Sequence, residues 1–233
     1  MTGAGALLKE SVEAIAELAR RGWRVTAYVS RAGEELLRSY GLLEALASSC
    51  TGPYPAGIVF ERDEPWSFPS AARVYKGVYR AVVISPATTN AVSKIVHGIA
   101  DDLVSNLASH ALKSGTKLLV VPTDLKPIES LIPVLVRREL CEQCDSCAAA
   151  PACPTGALRP DPLWKVRVNA ALCTMCGACV PLCPAGAIEV GARVVVRPHP
   201  HHARIVSALR EIEGVSVLED PGKVLELLEA MER

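Results

Sequence analysis

Two features that would indicate a nucleic-acid or membrane partner are missing from this sequence. Its 25 lysine and arginine residues equal its 25 aspartate and glutamate residues, so it lacks the basic surplus of proteins that bind nucleic acid or anionic membranes through charge. No stretch approaches the ~18–20 apolar residues that span a bilayer, and the first residues do not resemble a secretion signal. These absences predict a cytoplasmic protein with no nucleic-acid or membrane partner.

Aromatic residues are also scarce, at 4%, but apolar residues in general are not. Hydrophobic residues make up 50% of the chain and the mean hydropathy is +0.25, which predicts a folded core and excludes a disordered protein. The length of 233 residues suits one large domain, or one domain with a small module.

Helical and strand patterns alternate along most of the chain. Helices are predicted over 4–21, 32–48, 71–79, 91–96, 102–113, 128–140, 202–212 and 223–231. Strands are predicted over 23–30, 57–60, 81–85, 117–121, 193–197 and 215–219. Such a series predicts an α/β fold with a doubly wound, mostly parallel sheet covered by helices on both faces.

The start of this series is unusual. The sequence opens on Met1-Thr2-Gly3-Ala4-Gly5 and passes directly into a helical pattern. A doubly wound domain would place a strand before such a glycine turn. We therefore expect the first strand either to be missing from this sequence or to be supplied by another segment.

Eight of the nine cysteines lie within residues 141–183 and form an internal repeat. The two halves read CEQCDSCAAAPACPTGAL (141–158) and CTMCGACVPLCPAGAI (173–188). The second half follows the CxxCxxCxxxCP spacing of bacterial ferredoxins, which predicts 4Fe-4S ligation. The predicted ligands are Cys141, Cys144, Cys147, Cys153, Cys173, Cys176, Cys179 and Cys183.

In this spacing the fourth cysteine of each half ligates the other cluster. Cys183 would join the first three cysteines of the first half, and Cys153 the first three of the second half, which gives two 4Fe-4S clusters. The first half departs from the spacing, since five residues separate Cys147 from Cys153. We expect the loop near Pro151 to bulge while the first three ligands are unaffected.

Zinc sites are the alternative interpretation, because CxxC pairs also bind zinc tetrahedrally. Zinc motifs usually present paired CxxC units, whereas a triple CxxCxxC followed by CP, repeated twice, favours iron-sulfur ligation. Cys50, alone at a predicted helix end, is expected to be an inert core residue.

Three segments rich in glycine, serine and threonine stand where an α/β sheet would bind a ligand. They are TGAG (2–5), SRAG (30–33) and SPATTN (85–90). Ligands bind beyond the carboxyl ends of parallel strands, where helix amino ends attract phosphate. Each segment alone is equally compatible with an ordinary helix cap.

Together, SPATTNAVSKIVHGIADDL (85–103), TGAG and VSRAG resemble the FMN-binding flavoproteins related to phosphopantothenoylcysteine decarboxylase and flavin prenyltransferase. The sequence is similar to the archaeal branch with an inserted ferredoxin module, the archaeoflavoprotein and dihydromethanopterin reductase group. This resemblance implies an FMN-binding flavoprotein domain over 1–138, a small α+β ferredoxin-like module inserted at 139–190, and completion of the flavoprotein domain by 191–233.

The resemblance also implies positions for FMN. Those along its phosphate, ribityl chain and flavin ring would be Gly3, Gly5, Ser30, Ala87, Thr88, Thr89 and Asn90. Asp101 is also assigned to the FMN site, where it would help with Lys94 to order this loop, although Lys94 could equally be a solvated helix residue. In this family FMN lies at a contact between protomers of trimer-based assemblies, so a homo-oligomer is implied.

Departures from the family pattern disfavour decarboxylation. The decarboxylases use a histidine ahead of the PA(T/S)xN strand and a PxMNxxMW clamp, whereas residues 51–80 contain no histidine and VPTD (121–124) replaces the clamp. A decarboxylase with purely structural clusters is therefore the weakest alternative. His97 and His110 are expected to be surface or core residues. The PHPHH segment (198–202) is expected to be a solvated loop, with a metal or substrate role as the less favoured alternative.

A 4Fe-4S cluster exchanges single electrons, whereas reduction of a pterin-like ring needs two electrons and protons, and a flavin handles both. The resemblance thus implies an oxidoreductase that passes electrons from a ferredoxin-like or other donor through two clusters to FMN and on to a pterin-like acceptor. The main alternative is a non-enzymatic carrier between ferredoxin and another protein. Glu61, Arg73 and Asp124 are candidates to line the pocket.

Overall fold

The computed structural model describes residues 1–231. In chain order its strands are β1 (Thr26–Val29), β2 (Gly57–Phe60), β3 (Ala81–Ala87), β4 (Lys117–Pro122), β5 (Ile128–Val136), β6 (Leu158–Asp161), β7 (Lys165–Val168), β8 (Ile188–Val196) and β9 (Val215–Val217). β1 pairs with β2, and β4 lies between β3 and β9. All of these pairings are parallel, as the α/β prediction requires.

Helices flank these parallel strands. They are α1 (Leu8–Arg20), α2 (Arg31–Ser39), α3 (Leu43–Ser49), α4 (Thr89–Val96), α5 (Leu103–Ser114), α6 (Pro200–Ala208) and α7 (Lys223–Ala230). Short 3-10 segments lie at Glu61–Asp63, Ala71–Lys76, Arg138–Gln143, Ala170–Leu172 and Leu209–Glu211. Across residues 1–231, no helix combines the length and the apolar character needed to cross a bilayer.

Strand β4 is buried on both faces. Leu118 and Val120 pack into the core formed with α4, α5 and α6, whereas Leu119 and Val121 pack against α1 and α7. All four side chains are fully buried. Successive strand residues point to opposite faces, so the sheet is covered on both sides. The predicted doubly wound α/β architecture is confirmed.

The segment before α1 lies between β1 and β3. The amino group of Met1 donates to the Tyr28 carbonyl at 2.6 Å, and the Ser30 amide donates to the Met1 carbonyl at 3.1 Å. On the other side, the Thr2 amide donates to the Pro86 carbonyl at 3.3 Å. Within residues 1–231 no strand pairs with the facing edges of β1 and β3. Of the two alternatives expected from the sequence, supply of the first strand by another described segment is therefore excluded.

The helix predicted over 128–140 is also wrong. These residues form β5 and then a 3-10 turn. Pro133 lacks an N–H and its ring would clash inside a helix, and the surrounding isoleucine and valine residues favour a strand. β5 also has an antiparallel partner, β8, which the sequence pattern alone did not reveal.

Other predicted helices differ in extent. The helix predicted over 32–48 divides into α2 and α3 at Gly41, whose φ is 66°. The helix predicted over 71–79 is a 3-10 helix that ends at Gly77. α1 begins at Leu8 because Leu7, with φ 61°, still belongs to the loop. The strand predicted over 57–60 has the predicted ends, and the remaining predicted helices and strands are present with shifted ends.

The cysteine-rich stretch connects the two strands of an antiparallel ribbon, β5 and β8. Ile128 pairs with Val196 at one end of this ribbon and Val136 with Ile188 at the other. The Arg137 amide then donates to the Ala187 carbonyl at 2.8 Å. Both cysteine repeats and the β6–β7 hairpin lie between these two strands along the chain.

Candidate functional site

The glycine loop at residues 2–5 packs closely against α2 and the residue that ends it. A Cβ on Gly3 would lie 2.5 Å from the Cβ of Ala32, and one on Gly5 would collide with the hydroxyl of Tyr40. Neither position has room for a side chain. Glycine is therefore required at both positions by close approach.

The amino end of α1, which follows this loop, can bind an anion. α1 has 13 residues, and no side-chain hydrogen bond caps its start at Leu7. First-turn amides of such a helix have no intrahelical partner and carry the positive end of the helix dipole. A phosphate group at this end would complete the missing cap.

Hydroxyl side chains cap the two neighbouring helices. Ser30 Oγ accepts from the Gly33 amide at 3.0 Å, which caps α2. Thr88 Oγ1 accepts from the Ala91 amide at 3.3 Å, which caps α4. These residues therefore already act as helix caps, the alternative role that the sequence left open.

Thr2 joins the glycine loop to the end of β3. Its hydroxyl donates to the Pro86 carbonyl at 2.8 Å and accepts from the Thr88 amide at 3.0 Å. Met1 bonds to the end of β1 on the other side. The structure thus brings the three predicted ligand-binding segments together at the carboxyl ends of β1 and β3.

Asp124 lies beside the predicted flavin residues. Its Oδ2 accepts from the Thr89 hydroxyl at 2.5 Å and from the Thr123 hydroxyl at 2.9 Å. Ala87 is fully buried and its carbonyl accepts from the Thr123 amide, so it shapes the backbone. Asn90 is exposed in the first turn of α4.

Asp101 lies at the opposite end of α4 from Thr89. Lys94 Nζ is 2.6 Å from a carboxylate oxygen of Asp101 and 2.6 Å from one of Asp102. The 8 residues of α4 span about 12 Å. Burial raises the pKa of Asp102, but Lys94 and Ser105 outweigh it and hold this pKa below its ordinary value. Asp101 and Lys94 therefore order the turn between α4 and α5.

Glu61 is near the site, whereas Arg73 belongs to another part of the sheet. Glu61 Oε2 accepts from the Arg31 amide at 3.0 Å, in the first turn of α2. Arg73 lies near the buried Tyr28, whose hydroxyl donates to the Ser70 carbonyl. Of the three candidates for the pocket, Glu61 and Asp124 thus lie near the carboxyl ends of β1 and β3.

His199 and His110 make local contacts. His199 accepts from the His201 amide at 3.2 Å and caps α6, so the segment predicted as a solvated loop begins a helix. His110 lies 3.3 Å from the Tyr75 hydroxyl. In the described part of the chain, no three His, Cys, Asp or Glu side chains converge closely enough to hold a single metal ion.

Four thiols line one small cavity in the cysteine-rich stretch. They belong to Cys153, Cys173, Cys176 and Cys179. This set combines the fourth cysteine of the first repeat with the first three of the second. It is the crossed set that the ferredoxin spacing predicts, and we call it the inner thiol group.

The other four thiols form the outer thiol group. Burial raises the pKa of the Cys141 thiol, and the neighbouring thiolates of Cys183, Cys147 and Cys144 raise it further. Cys183 of the second repeat therefore lies among the first three cysteines of the first repeat. Both groups show the crossing.

Backbone amides donate to these sulfurs. The Met175 amide is 3.4 Å from Cys173 Sγ. Burial raises the pKa of the Cys153 thiol, but the amides of Leu158, Thr155 and Ala157 and the Thr155 hydroxyl outweigh it and lower this pKa. Thiolates that accept such bonds are the ligands that iron-sulfur clusters use. The donor sets therefore fit clusters.

Lys165 distinguishes the outer thiol group. Its Nζ donates to the carbonyls of Cys141 at 3.1 Å, Glu142 at 3.4 Å and Cys144. The residue has φ 61° and follows the half-exposed Trp164 at the tip of the β6–β7 hairpin. A cation thus lies against the backbone of the outer group.

Strand β5 connects the inner thiol group with the glycine loop. Cys173 Sγ lies 3.6 Å from the Pro133 carbonyl. Two residues earlier in β5, the Leu131 carbonyl accepts from the Tyr40 hydroxyl at 2.7 Å. The turn Ala170–Leu172 also contacts α2. The inner group is therefore beside the element that carries the candidate flavin site.

Sequence reasoning missed Thr2, Tyr40 and Lys165. Thr2 stood in a segment already considered, and a hydroxyl residue directly before the glycines could have been singled out. Tyr40 meets Gly5 and β5 only in the folded chain, and Lys165 lies in a hairpin that no pattern predicted. These two had no local sequence signal.

Two family models match separate parts of the chain. Residues 1–127 match the family model described as Flavoprotein, and residues 166–189 match the 4Fe-4S binding domain. The chain is 37% identical over 230 residues to dihydromethanopterin reductase (acceptor) of Methanosarcina mazei, covering 97% of this chain and 96% of the relative. The protein of the same name from Methanocaldococcus jannaschii is 36% identical, with 97% and 92% covered.

Among solved structures, Burkholderia xenovorans DmrB in complex with FMN shares the fold. The TM-score is 0.62 and the identity 22%, with 99% of this chain and 91% of that chain covered. The Flavoprotein match spans more than half of the sequence. Both reductases match this chain over nearly their full length. The chain therefore belongs to the Flavoprotein family and carries a 4Fe-4S binding domain.

Proposed function

We propose that this protein is an iron-sulfur flavoprotein oxidoreductase that takes electrons from an external donor, passes them through two 4Fe-4S clusters to FMN, and reduces a pterin-like acceptor. Two relatives that match over nearly the full chain are named dihydromethanopterin reductase (acceptor). Their name supports a dihydropterin as the acceptor and an enzymatic role.

The order of the sites along the ribbon carries this proposal. The Leu131 carbonyl accepts a hydrogen bond from Tyr40, which lies beside the glycine loop. The Pro133 carbonyl contacts Cys173 of the inner thiol group, and the Arg137 carbonyl contacts Cys141 of the outer thiol group. A strand rises about 3.3 Å per residue, so the contacts of the two thiol groups, at Pro133 and just past the end of β5, are roughly 13 Å apart. Electrons entering at the outer group would reach the inner group next and the flavin last.

We assign the FMN phosphate to the amino end of α1 and the glycine loop, with Gly3, Gly5 and Ser30 shaping its cradle. Thr88, Thr89 and Asn90, with the backbone at Ala87, would follow the ribityl chain and ring, and Asp124 would hold Thr89 in position. Bound FMN accepts electrons singly and delivers two to an organic acceptor. Asp101 would act only on the nearby turn.

We assign one cluster to each thiol group. The inner group would hold the cluster that supplies FMN, and the outer group the cluster that meets the donor. The separate cavity of the inner group and the electrostatic coupling of Cys141 to Cys183 support this count of two. About eight iron atoms per chain are expected.

The proposal includes assembly, location and domain limits. A trimer-based homo-oligomer is supported by the description of DmrB as a cubic protein cage for redox transfer. A cytoplasmic location would keep the ligating thiols reduced. The ferredoxin-like module would span 139–190, between flavoprotein segments 1–138 and 191–233, of which residues 232 and 233 lie outside the described residues.

Anaerobic turnover tests the proposal. The protein, loaded with FMN and clusters, is reduced chemically and then mixed with dihydromethanopterin. We expect the flavin absorbance to return in proportion to the pterin added, with tetrahydromethanopterin as product. If no pterin reoxidises the flavin but an added redox protein does, the chain is an electron carrier and the reductase proposal is wrong.

Cys153→Ala provides the matched control. This substitution removes one ligand of the inner cluster, so delivery of electrons from the donor should fail. Chemically reduced FMN in the same variant should still be oxidised by the pterin. Unchanged donor-driven turnover would contradict the route through the inner cluster.

A further inference from the structure

The turn that joins β6 to β7 exposes two large apolar side chains next to each other. Leu163 is 76% exposed and Trp164 is 58% exposed. Pro162, which precedes them, is exposed as well. We call residues 162–164 the hairpin tip. Single exposed apolar residues are normal on a protein surface, whereas adjacent ones form a patch that can mark a contact surface.

Charged side chains hold the hairpin tip in one conformation. Asp161 Oδ1 accepts from the Leu163 amide at 3.0 Å and from the Trp164 amide at 2.8 Å. Arg138 Nη1 donates to the Trp164 carbonyl at 3.0 Å, and its guanidinium carbon lies 5.7 Å from the centre of the indole ring. An ordered aromatic side chain loses little conformational entropy on binding, so tryptophan is frequent at the centre of interfaces. The tip is therefore preorganised for contact.

The same hairpin is attached to the outer thiol group. Lys165, the residue after the tip, donates through Nζ to the carbonyls of Cys141 at 3.1 Å and Glu142 at 3.4 Å. Arg138 begins the 3-10 turn that contains Cys141. A protein that contacted the hairpin tip would therefore lie beside the cluster proposed for the outer group.

The charge available for binding near the outer group is negative. All cations of residues 137–167 already have a carboxylate or backbone carbonyls of this chain as partners; they are Arg137, Arg138, Arg159, Lys165 and Arg167. By contrast, the exposed carboxylates of Glu139, Glu142 and Asp145 form no ion pair within residues 1–231. Clusters bound by four thiolates would add negative charge. A partner with basic residues is complementary to this surface.

We propose that the hairpin tip is the docking surface for a redox protein that carries basic residues around an apolar patch at its own redox centre. Leu163 and Trp164 contact the apolar patch, and Glu142 and Asp145 attract the basic residues around it. This inference rests on the proposed function, because it takes the outer group as the point where electrons enter.

The size of the patch favours such a partner over a second copy of this chain. A tryptophan buries about 150–250 Å² in an interface. A permanent contact between copies usually needs about 2,000 Å² or more, whereas electron-transfer encounters are smaller and short-lived. Two apolar side chains with charged neighbours therefore suit a transient encounter.

Electron transfer to cytochrome c tests the proposal, because lysine residues surround the exposed haem edge of that protein. The chain, loaded with clusters and FMN, is reduced with dithionite, freed of excess reductant and mixed with ferricytochrome c in a stopped-flow instrument. One electron passes from a reduced cluster to the ferric haem, which gives an oxidised cluster and ferrocytochrome c. We expect the second-order rate constant to fall at least about tenfold between about 0.01 M and 0.15 M salt, because salt screens the attraction.

Two variants separate the apolar and the charged parts of the surface. Trp164→Ala should lower this rate constant at least about tenfold, because it removes the central contact. The double variant Glu142→Gln/Asp145→Asn should lower it about fivefold at low salt and remove most of the salt dependence. Trp66→Ala is the matched control, since Trp66 is 83% exposed but lies outside the cysteine-rich region, and it should keep the original rate constant.

Benzoquinone, a small uncharged oxidant, checks that the clusters are intact, and its rate should be equal in all of these chains. If Trp164→Ala loses iron, Leu163→Ala takes its place, with the same fall expected. Equal rate constants for the tip variant and Trp66→Ala, or no salt dependence with cytochrome c, would overturn the proposal. A change in the oligomeric mass of Trp164→Ala, measured by light scattering, would instead assign the tip to a contact between copies and also overturn it. Oxidation of chemically reduced FMN by a pterin does not enter these measurements, so the reductase function and the docking surface fail independently.

Discussion

The parallel-sheet region and the cysteine-rich region differ in the side chains that form their cores. In the first, large side chains such as Ile84, Leu103 and Leu118 are fully buried between sheet and helices. In the second, the buried cluster is small and consists of three alanines, two valines, Leu158, Ile188 and the thiols of Cys173 and Cys179. The sheet region can be stable through apolar burial alone, whereas the cysteine region has little apolar surface to bury.

The comparison teaches where each region obtains its stability. Small domains that cannot build a sufficient apolar core usually depend on metals or cross-links. Metal binding to a site that exists only in the folded state contributes directly to folding free energy. We therefore expect the cysteine region to fold with its clusters and the sheet region to fold without them.

Removal of iron should give the largest effect. Anaerobic chelation of the loaded protein is expected to abolish amide protection in β6 and β7 and to leave β4 protected, because only the cysteine region depends on the clusters. Hydrogen exchange read by mass spectrometry measures both regions in one sample. Persistent protection of β6 and β7 after complete iron loss would show that the cysteine region folds without its clusters, against this expectation.

Truncation of one buried leucine in each region should separate them further. Leu118→Ala is expected to destabilise the protein by about 2–5 kcal/mol, measured by denaturant unfolding with iron bound. Leu158→Ala should lower the iron retained per chain while changing the main unfolding transition much less. If both variants shift the same transition equally, the two regions share one cooperative core.

Gly5→Ala should act on the sheet region alone. The added methyl group would collide with the Tyr40 hydroxyl, so the glycine loop must move and FMN affinity should fall at least about tenfold, or about 1.4 kcal/mol. Flavin fluorescence titration measures this loss, and iron content should not change. Adding Tyr40→Ala removes the collision and should recover part of the affinity. Unchanged affinity in Gly5→Ala would place FMN elsewhere.

Lys165→Met should give the smallest effect and sharpen the contrast between the two thiol groups. Removing this cation from the backbone of the outer group should lower the potential of the outer cluster by on the order of 50 mV and leave the inner one unchanged. A redox titration followed by electron paramagnetic resonance resolves the two. Arg167→Met is the matched control, since its exposed side chain pairs with Asp161. Equal shifts in both clusters would contradict the assignment.

Patterns within short segments predicted much of this molecule. β4 was predictable because a run of four apolar residues indicates burial on both faces, and the crossed thiol sets followed from the spacing of the cysteines. The ribbon was not predictable, because β5 pairs with a strand about sixty residues away and its apolar residues also fit a helix. The contact of Tyr40 with Gly5 depends on the same long-range arrangement.

The hydrogen bond between Arg137 and Ala187 has one further consequence. Because the chain leaves and returns to the ribbon at two residues in direct contact, the cysteine-rich region occupies the place of a hairpin loop. A tight Asn-Gly turn could close the same two strands. The cysteine-rich region could thus be replaced at this end of the ribbon by a different electron-carrying unit, and the ribbon would hold that unit at a fixed distance from the candidate flavin site.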